Sequence, residues 1–242
     1  MRIQAQCRLT LIIFILLCCV GCHATRTPPH HGCFNPVPTP PGSQLQQPWV
    51  YQLRWPLARN TGSLQAISSF ARRGLPLLEV EAGTRSFYPS AIRAVRGFPT
   101  ALVLRFADES PQVVARAIEL AESTNVGNQI VVQTQSLATA RFVRHFYPEI
   151  AILIRCDSPA QAQEALTVQP SPNVIFLDFP WDSEGLIQQI HEAGAAVAMS
   201  AASESQDNPQ RWNQLMDLGV DIVYTNQPEN FTRSIPRACA AK

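Results

Sequence analysis

From Trp49 onward the chain alternates short apolar runs with longer stretches whose apolar residues recur every three or four positions. The short runs predict strands at Trp49–Trp55, Leu75–Glu81, Thr100–Phe106, Gln129–Thr134, Ile150–Arg155, Asn173–Asp178, Ala195–Ser200 and Asp221–Thr225. Between them the periodicity and the cap residues predict helices. Ser90–Gly97 is a short one. Ser110-Pro111 opens Gln112–Glu122, Ser136 opens Leu137–Phe146, and Ser158-Pro159 opens Ala160–Leu166. Asp182 opens Ser183–Ala193 before Gly194, and Asn208-Pro209 opens Gln210–Leu218 before Gly219. The segment Asn60–Glu81 joins both patterns. Leu64, Ile67, Phe70 and Ala71 share a helical face, Gly74 stands at the expected left-handed stop, and a strand follows. Glu79 and Glu81 are two apart on that strand and point to the same side. Two carboxylates on an otherwise apolar strand require partners, because a buried unpaired carboxylate is costly.

Short strands separated by helices of this length imply parallel pairing with right-handed crossovers. Eight such units in one chain of 242 residues predict an α/β fold, a reduced (β/α)8 barrel. A doubly wound open sheet is the alternative; no GxGxxG or GxxxxGK[ST] follows a strand, which weakens its nucleotide-binding versions.

Composition adds an address. Arg2 and Arg8 precede an apolar run of 12 residues, Leu9–Val20, of the length of an export signal core. Cys19-Val20-Gly21-Cys22 then resembles a bacterial lipobox, with Cys19 where leucine is usual. The resemblance implies a lipoprotein signal at residues 1–21 and a lipid on Cys22 that anchors the chain to a membrane of the cell envelope. An ordinary secretory signal or an uncleaved N-terminal anchor stays open. Residues 22–48 are proline-rich and read as a tether, 49–235 as the barrel and 236–242 as a tail. The proline setting makes His30 and His31 solvated linker residues rather than metal ligands. No CxxC or Cys/His ligand spacing occurs, and Cys33 and Cys239, near the two ends of the exported chain, are candidates for a disulfide. The formal net charge is +1, which gives no sign of a nucleic-acid partner. Lys242 is the only lysine, so no catalytic lysine is available within the barrel.

Several segments, in order, resemble the glycerophosphodiester phosphodiesterase family, one of the phospholipase-C-like phosphodiesterase barrels. Arg59-Asn60-Thr61-Gly62-Ser63-Leu64-Gln65-Ala66, Gly74 and Glu79-Val80-Glu81 are similar to the family's E-N-T-x-x-A helix, glycine and E-x-D strand. Gly219-Val220-Asp221-Ile222-Val223-Tyr224-Thr225-Asn226-Gln227-Pro228 is similar to its last strand. Ile130–Ser136 and His191-Glu192-Ala193-Gly194 resemble the fourth-strand segment and the approach to the seventh strand. The resemblance implies a phosphoric diester hydrolase that uses a divalent cation, calcium or magnesium, and two histidines as acid and base. This chain departs from that pattern. Gln52-Leu53-Arg54-Trp55-Pro56 stands where the family has H-R-G, the loop carrying the second histidine is missing after Glu81, and Leu102–Phe106 offers Arg105 but no acid.

Two readings of the acids remain open. Glu79 and Glu81 are candidate cation ligands, with Asp178 or Asp108 reaching in from other strand ends. The favoured alternative is that Arg54, Arg105 or Arg155, late in their strands, pairs with them. The same arginines, with Asp178, are candidate contacts for a small anionic or phosphodiester ligand, and Gln133, Gln135, Ser200 and Asn226 would add hydrogen bonds. His145 and His191 fall in helices, where packing or surface roles are expected. The expectation is a catalytically degenerate, ligand-binding barrel in an envelope lipoprotein. The alternatives are an active divergent metal-dependent hydrolase and a protein-interaction module.

Overall fold

The computed structural model describes residues 50–54, 75–83, 88–96, 100–178, 184–201 and 207–234. Eight parallel strands close on themselves in sequence order: β1 (Val50–Arg54), β2 (Leu75–Glu81), β3 (Ala101–Arg105), β4 (Ile130–Thr134), β5 (Ala151–Cys156), β6 (Val174–Leu177), β7 (Ala196–Ser200) and β8 (Ile222–Tyr224). β8 pairs with both β7 and β1, which closes the barrel and leaves no edge strand. The strands match the predicted runs to within one or two residues at their ends.

The described helices are α1 (Tyr88–Val95), α2 (Pro111–Ser123), α3 (Leu137–Phe146), α4 (Pro159–Ala165), α5 (Glu184–Glu192), α6 (Pro209–Asp217) and α7 (Pro228–Ser234). Three predicted caps form: the side chains of Ser136, Ser158 and Asn208 accept from the amides of Thr139, Gln161 and Arg211. Ser110 makes no such bond. Asp108 instead accepts from the Ser110 amide (2.9 Å) and hydroxyl (3.1 Å), a local Asx-type turn outcompeting the cap. Gly194 (φ 90°) and Gly219 (φ 87°) end their helices in the left-handed region, as predicted. The short 3-10 helix Gly127–Gln129 and α7 were not expected. The predicted helix after Asn60 and its Gly74 stop, the export signal, Cys22, the tether, Cys33, Cys239 and the tail lie outside the described residues.

Strands β3 to β8 bury both faces over most of their length, which is why their sequences read as continuous apolar residues. Outward-facing side chains such as Leu78, Leu102, Ile152 and Val197 pack against helix residues Ile92, Ile118, Val143 and Trp212. Alternate positions turn inward and fill the barrel: Leu77, Ala101, Val103, Val131, Ala151, Leu153, Val174, Phe176, Ala196, Ala198, Ile222 and Tyr224. The alternation carries inward orientation on to the strand ends, where the residues become polar: Glu79, Arg105, Gln133, Arg155 and Ser200, with Asp178 directly after β6.

Candidate site at the barrel mouth

The acids of β2 part company. Glu79, with its side chain 12% exposed, meets Arg105 Nη1 at 3.5 Å, whereas Glu81 is exposed. Register explains the pair: Glu79 lies beside Val103 and Glu81 beside Arg105, so Arg105 reaches back by one inward position to the more enclosed carboxylate. Arg155 behaves alike. Its Nη2 donates to Asp178, its Nε lies 3.9 Å from Asp157, and its guanidinium stands 5.7 Å from the centre of the Phe176 ring. Arg54 stands in register with Glu79, but its side chain is outside the described residues.

Further polar groups tie the mouth together. Gln135 donates to Asp157 (3.2 Å), and Glu109, from the loop after β3, accepts from the Thr134 hydroxyl and the Gln135 amide. Asp207 is buried and fully used, accepting from Trp212 Nε1 (2.8 Å), the Thr225 hydroxyl (2.6 Å) and the Asn226 amide (2.7 Å). Asp157, Glu109 and Asp207 were not singled out from sequence. Asp157 carried a usable signal, since it follows a strand end as Asp178 does. Glu109 and Asp207 sit in loops, and apart from Trp212 the partners of their carboxylates lie 18 to 26 residues away.

The divalent cation that the resemblance implies needs carboxylate oxygens turned to one point. Glu79 is turned to Arg105, Asp178 to Arg155 and Asp108 to Ser110. Among the described residues no group of three or more His, Cys, Asp and Glu is placed to hold a metal ion. The described donors therefore do not fit such a centre.

The two barrel histidines lie away from the mouth. His145 is exposed on α3 with its ring against Phe146. His191, on α5, contacts the fully buried Asp221 at 2.8 Å; Asp221 also accepts from the Val197 amide, stitching α5 to the start of β7 and β8. Cys156 faces outward into the sheet–helix core, and burial, with a smaller contribution from Asp157, pushes its thiol up to about 12.

No protein-family profile matches the sequence, and no curated protein matches it. Solved structures do. A glycerophosphoryl diester phosphodiesterase from Parabacteroides distasonis superposes with a TM-score of 0.59 at 15% identity, covering 78% of this chain and 86% of that one. An Oleispira antarctica phosphodiesterase, solved with the product sn-glycerol-3-phosphate, gives 0.57 at 11% identity over 78% of this chain and 97% of that one. A thiamine phosphate pyrophosphorylase from Pyrococcus furiosus reaches 0.51 at 11% identity, covering 80% and 95%. Identities this low speak for the fold and leave chemistry to the site. The chain has a (β/α)8 barrel fold like that of the glycerophosphodiester phosphodiesterases.

Proposed function

We propose that the protein is an envelope lipoprotein, held at a membrane through Cys22, whose phosphodiesterase-like barrel no longer hydrolyses its ligand and instead binds an anionic, phosphate-bearing molecule at its mouth. The observation that carries this reading is the pairing of the mouth's carboxylates with arginine. In Glu79–Arg105 and Asp178–Arg155 the acids compensate cations, and neither is left to gather a metal. Phosphodiester hydrolysis also needs a group that takes and returns a proton near neutrality. No described mouth residue is a histidine, and the described histidines serve elsewhere. For binding, Arg105 and Arg155 stand at the C-terminal ends of their strands, where sites of this fold form. Both stay partly open to solvent, at 49% and 33% of their side chains. Guanidinium groups suit phosphate oxygens. The Oleispira antarctica barrel accommodates a glycerol phosphate.

The test pairs an activity assay with a binding assay on full-length protein in detergent. Incubation with glycerophosphodiesters and magnesium or calcium is expected to release no product, while the same compounds raise the melting temperature. Chelator-sensitive turnover that disappears in Glu79→Gln would establish the divergent hydrolase instead. For the anchor, labelled fatty acid should enter the wild type and not Cys22→Ser; equal labelling of both would refute it.

A further inference from the structure

Among the described residues, Phe146 (61% exposed) and Leu120 (37%) are the large apolar side chains left in solvent. They stand near the ends of α3 and α2, and Phe146 heads an aromatic group. Its ring centre lies 5.0 Å from that of Phe142 and 4.5 Å from that of His145, and Phe142 lies 6.2 Å from Tyr147. Phe142 and Tyr147 pack on the core beneath, so the outward ring of Phe146 stands on a fixed base. Tyr147 donates to Glu119 of α2 at 3.4 Å, so the two exposed residues flank one contact between the helix ends. Apolar side chains gathered in this way, unlike single scattered ones, mark a contact surface.

The surface lies at the end of the barrel opposite the mouth, where strands start and helices finish. β1 starts there at Val50, so residues 22–48, read from sequence as a proline-rich tether, lead into this end. They contain Pro36-Val37-Pro38-Thr39-Pro40-Pro41, an uncharged run with a Pro-x-x-Pro spacing at Pro38 and Pro41. Aromatic-lined surfaces recognise such runs in the polyproline II form, with little entropy lost. The run is also placed to reach. α3 packs against β4 and β5, across the barrel from β1. Eight strands and one helix layer make that path about 25 Å. The nine residues from Pro41 to Val50 span about 28 Å at the polyproline rise. Other occupants fit less well. Glu119, Glu122 and Glu149 are exposed around the group against Arg141, a balance that repels an anionic lipid surface. Two exposed side chains also fall far short of the roughly 800 Å² per partner of a stable dimer. A segment of the same chain needs no such area, because attachment supplies an effective concentration of about millimolar.

We propose that the Phe146 surface is an intramolecular docking site for the chain's own segment Pro36–Pro41. Phe146 and Tyr147 receive the proline rings, and the tether is held along the end of the barrel with residues 22–35 as its free length. The docking is independent of any ligand at the mouth.

Photocrosslinking of the full-length protein in detergent tests it, with p-benzoylphenylalanine in place of Phe146 and the adduct located by mass spectrometry. The expected adduct joins residue 146 to the peptide that holds Pro36–Pro41 of the same molecule. Its yield should not change on about tenfold dilution, as an intramolecular contact requires. Replacing Pro36, Pro38, Pro40 and Pro41 together with serine leaves the barrel residues untouched and should lower the yield about tenfold, because the stiff docking form is lost. The same probe in place of Leu120 should give the same adduct, and it decides the matter where the Phe146 variant does not fold. An adduct to a second copy of the chain, to detergent alone, or to no peptide of the tether overturns the inference. So does a yield that survives the loss of the four prolines.

Discussion

Arg144 is the residue whose replacement should damage the fold most for a single polar side chain. It lies on α3, buried at 8% exposure, and its guanidinium donates to five oxygens with no carboxylate among them. Nε donates to Pro170 O (3.3 Å), Nη1 to Pro148 O (3.3 Å) and Ile150 O (3.1 Å), and Nη2 to Ser171 O (2.9 Å) and Asn173 Oδ1 (2.7 Å). These acceptors belong to the turns that enter β5 and β6, so one side chain fixes two strand starts from the helix that precedes them. Burial lowers the Arg144 pKa from its ordinary value, a sign that the cation is desolvated. In Arg144→Ala, water can replace the donor at Pro148, Pro170 and Ser171, whose bonds are only partly buried. The bonds to Ile150 O and Asn173 Oδ1 are buried, and each charge-assisted bond lost there costs roughly 1.5–2 kcal/mol. The expected loss is about 3–4 kcal/mol, within the range of buried-network deletions. Arg144→Lys keeps the charge but presents three donors without the planar fork, so about half of that loss should remain. Urea unfolding followed by circular dichroism gives both values. A change below about 1 kcal/mol for Arg144→Ala, with the denaturant slope unaltered, would refute the claim that the buried pair of bonds carries the energy.

Asp207→Ala should cost about 2–4 kcal/mol by the same measurement, because it strands two buried donors, Trp212 Nε1 and the Thr225 hydroxyl; the indole near-ultraviolet signal should change with it. The Cys156 thiol, raised by burial from 9.0 to about 12, should resist maleimide at pH 8 in the native protein and react fully in urea. Its pH dependence follows from the sign. The unfolded thiol ionises near 9 while the folded one stays protonated, so the contribution is complete below pH 9 and declines as pH rises toward 12. Tyr88, raised by burial and donating to Ala117 O, acts in the same direction. Cys156→Ala should flatten that alkaline decline, and an unchanged profile would refute the assignment.

The barrel was legible because its information is local. Apolar runs of strand length, Ser-Pro and Asn-Pro helix openings, and Gly194 and Gly219 as stops each act within a few residues. The mouth was legible only in kind. Position along the strands brought Glu79, Arg105, Arg155 and Asp178 to one end, but Arg105 and Arg155 were equivalent candidates until register distinguished them. That decision rests on the inter-strand offset: the offset of β2 against β3 sets Glu79 one inward step from Arg105 and leaves Glu81 in solvent. Arg144 and Asp207 gave no signal because their partners are mostly backbone atoms or side chains far along the chain, and no residue type marks a carbonyl as an acceptor in waiting. The same reasoning separates fold from reaction at the second strand. The glutamates that resemble a metal-binding corner are kept in place by the strand, which needs only its alternate apolar side to pack. What the glutamates do depends on which cation lies one step away. Among the described residues Arg105 is such a cation, and it meets Glu79 at 3.5 Å, so what the strand conserves is the place of the carboxylate and what its neighbours decide is its partner.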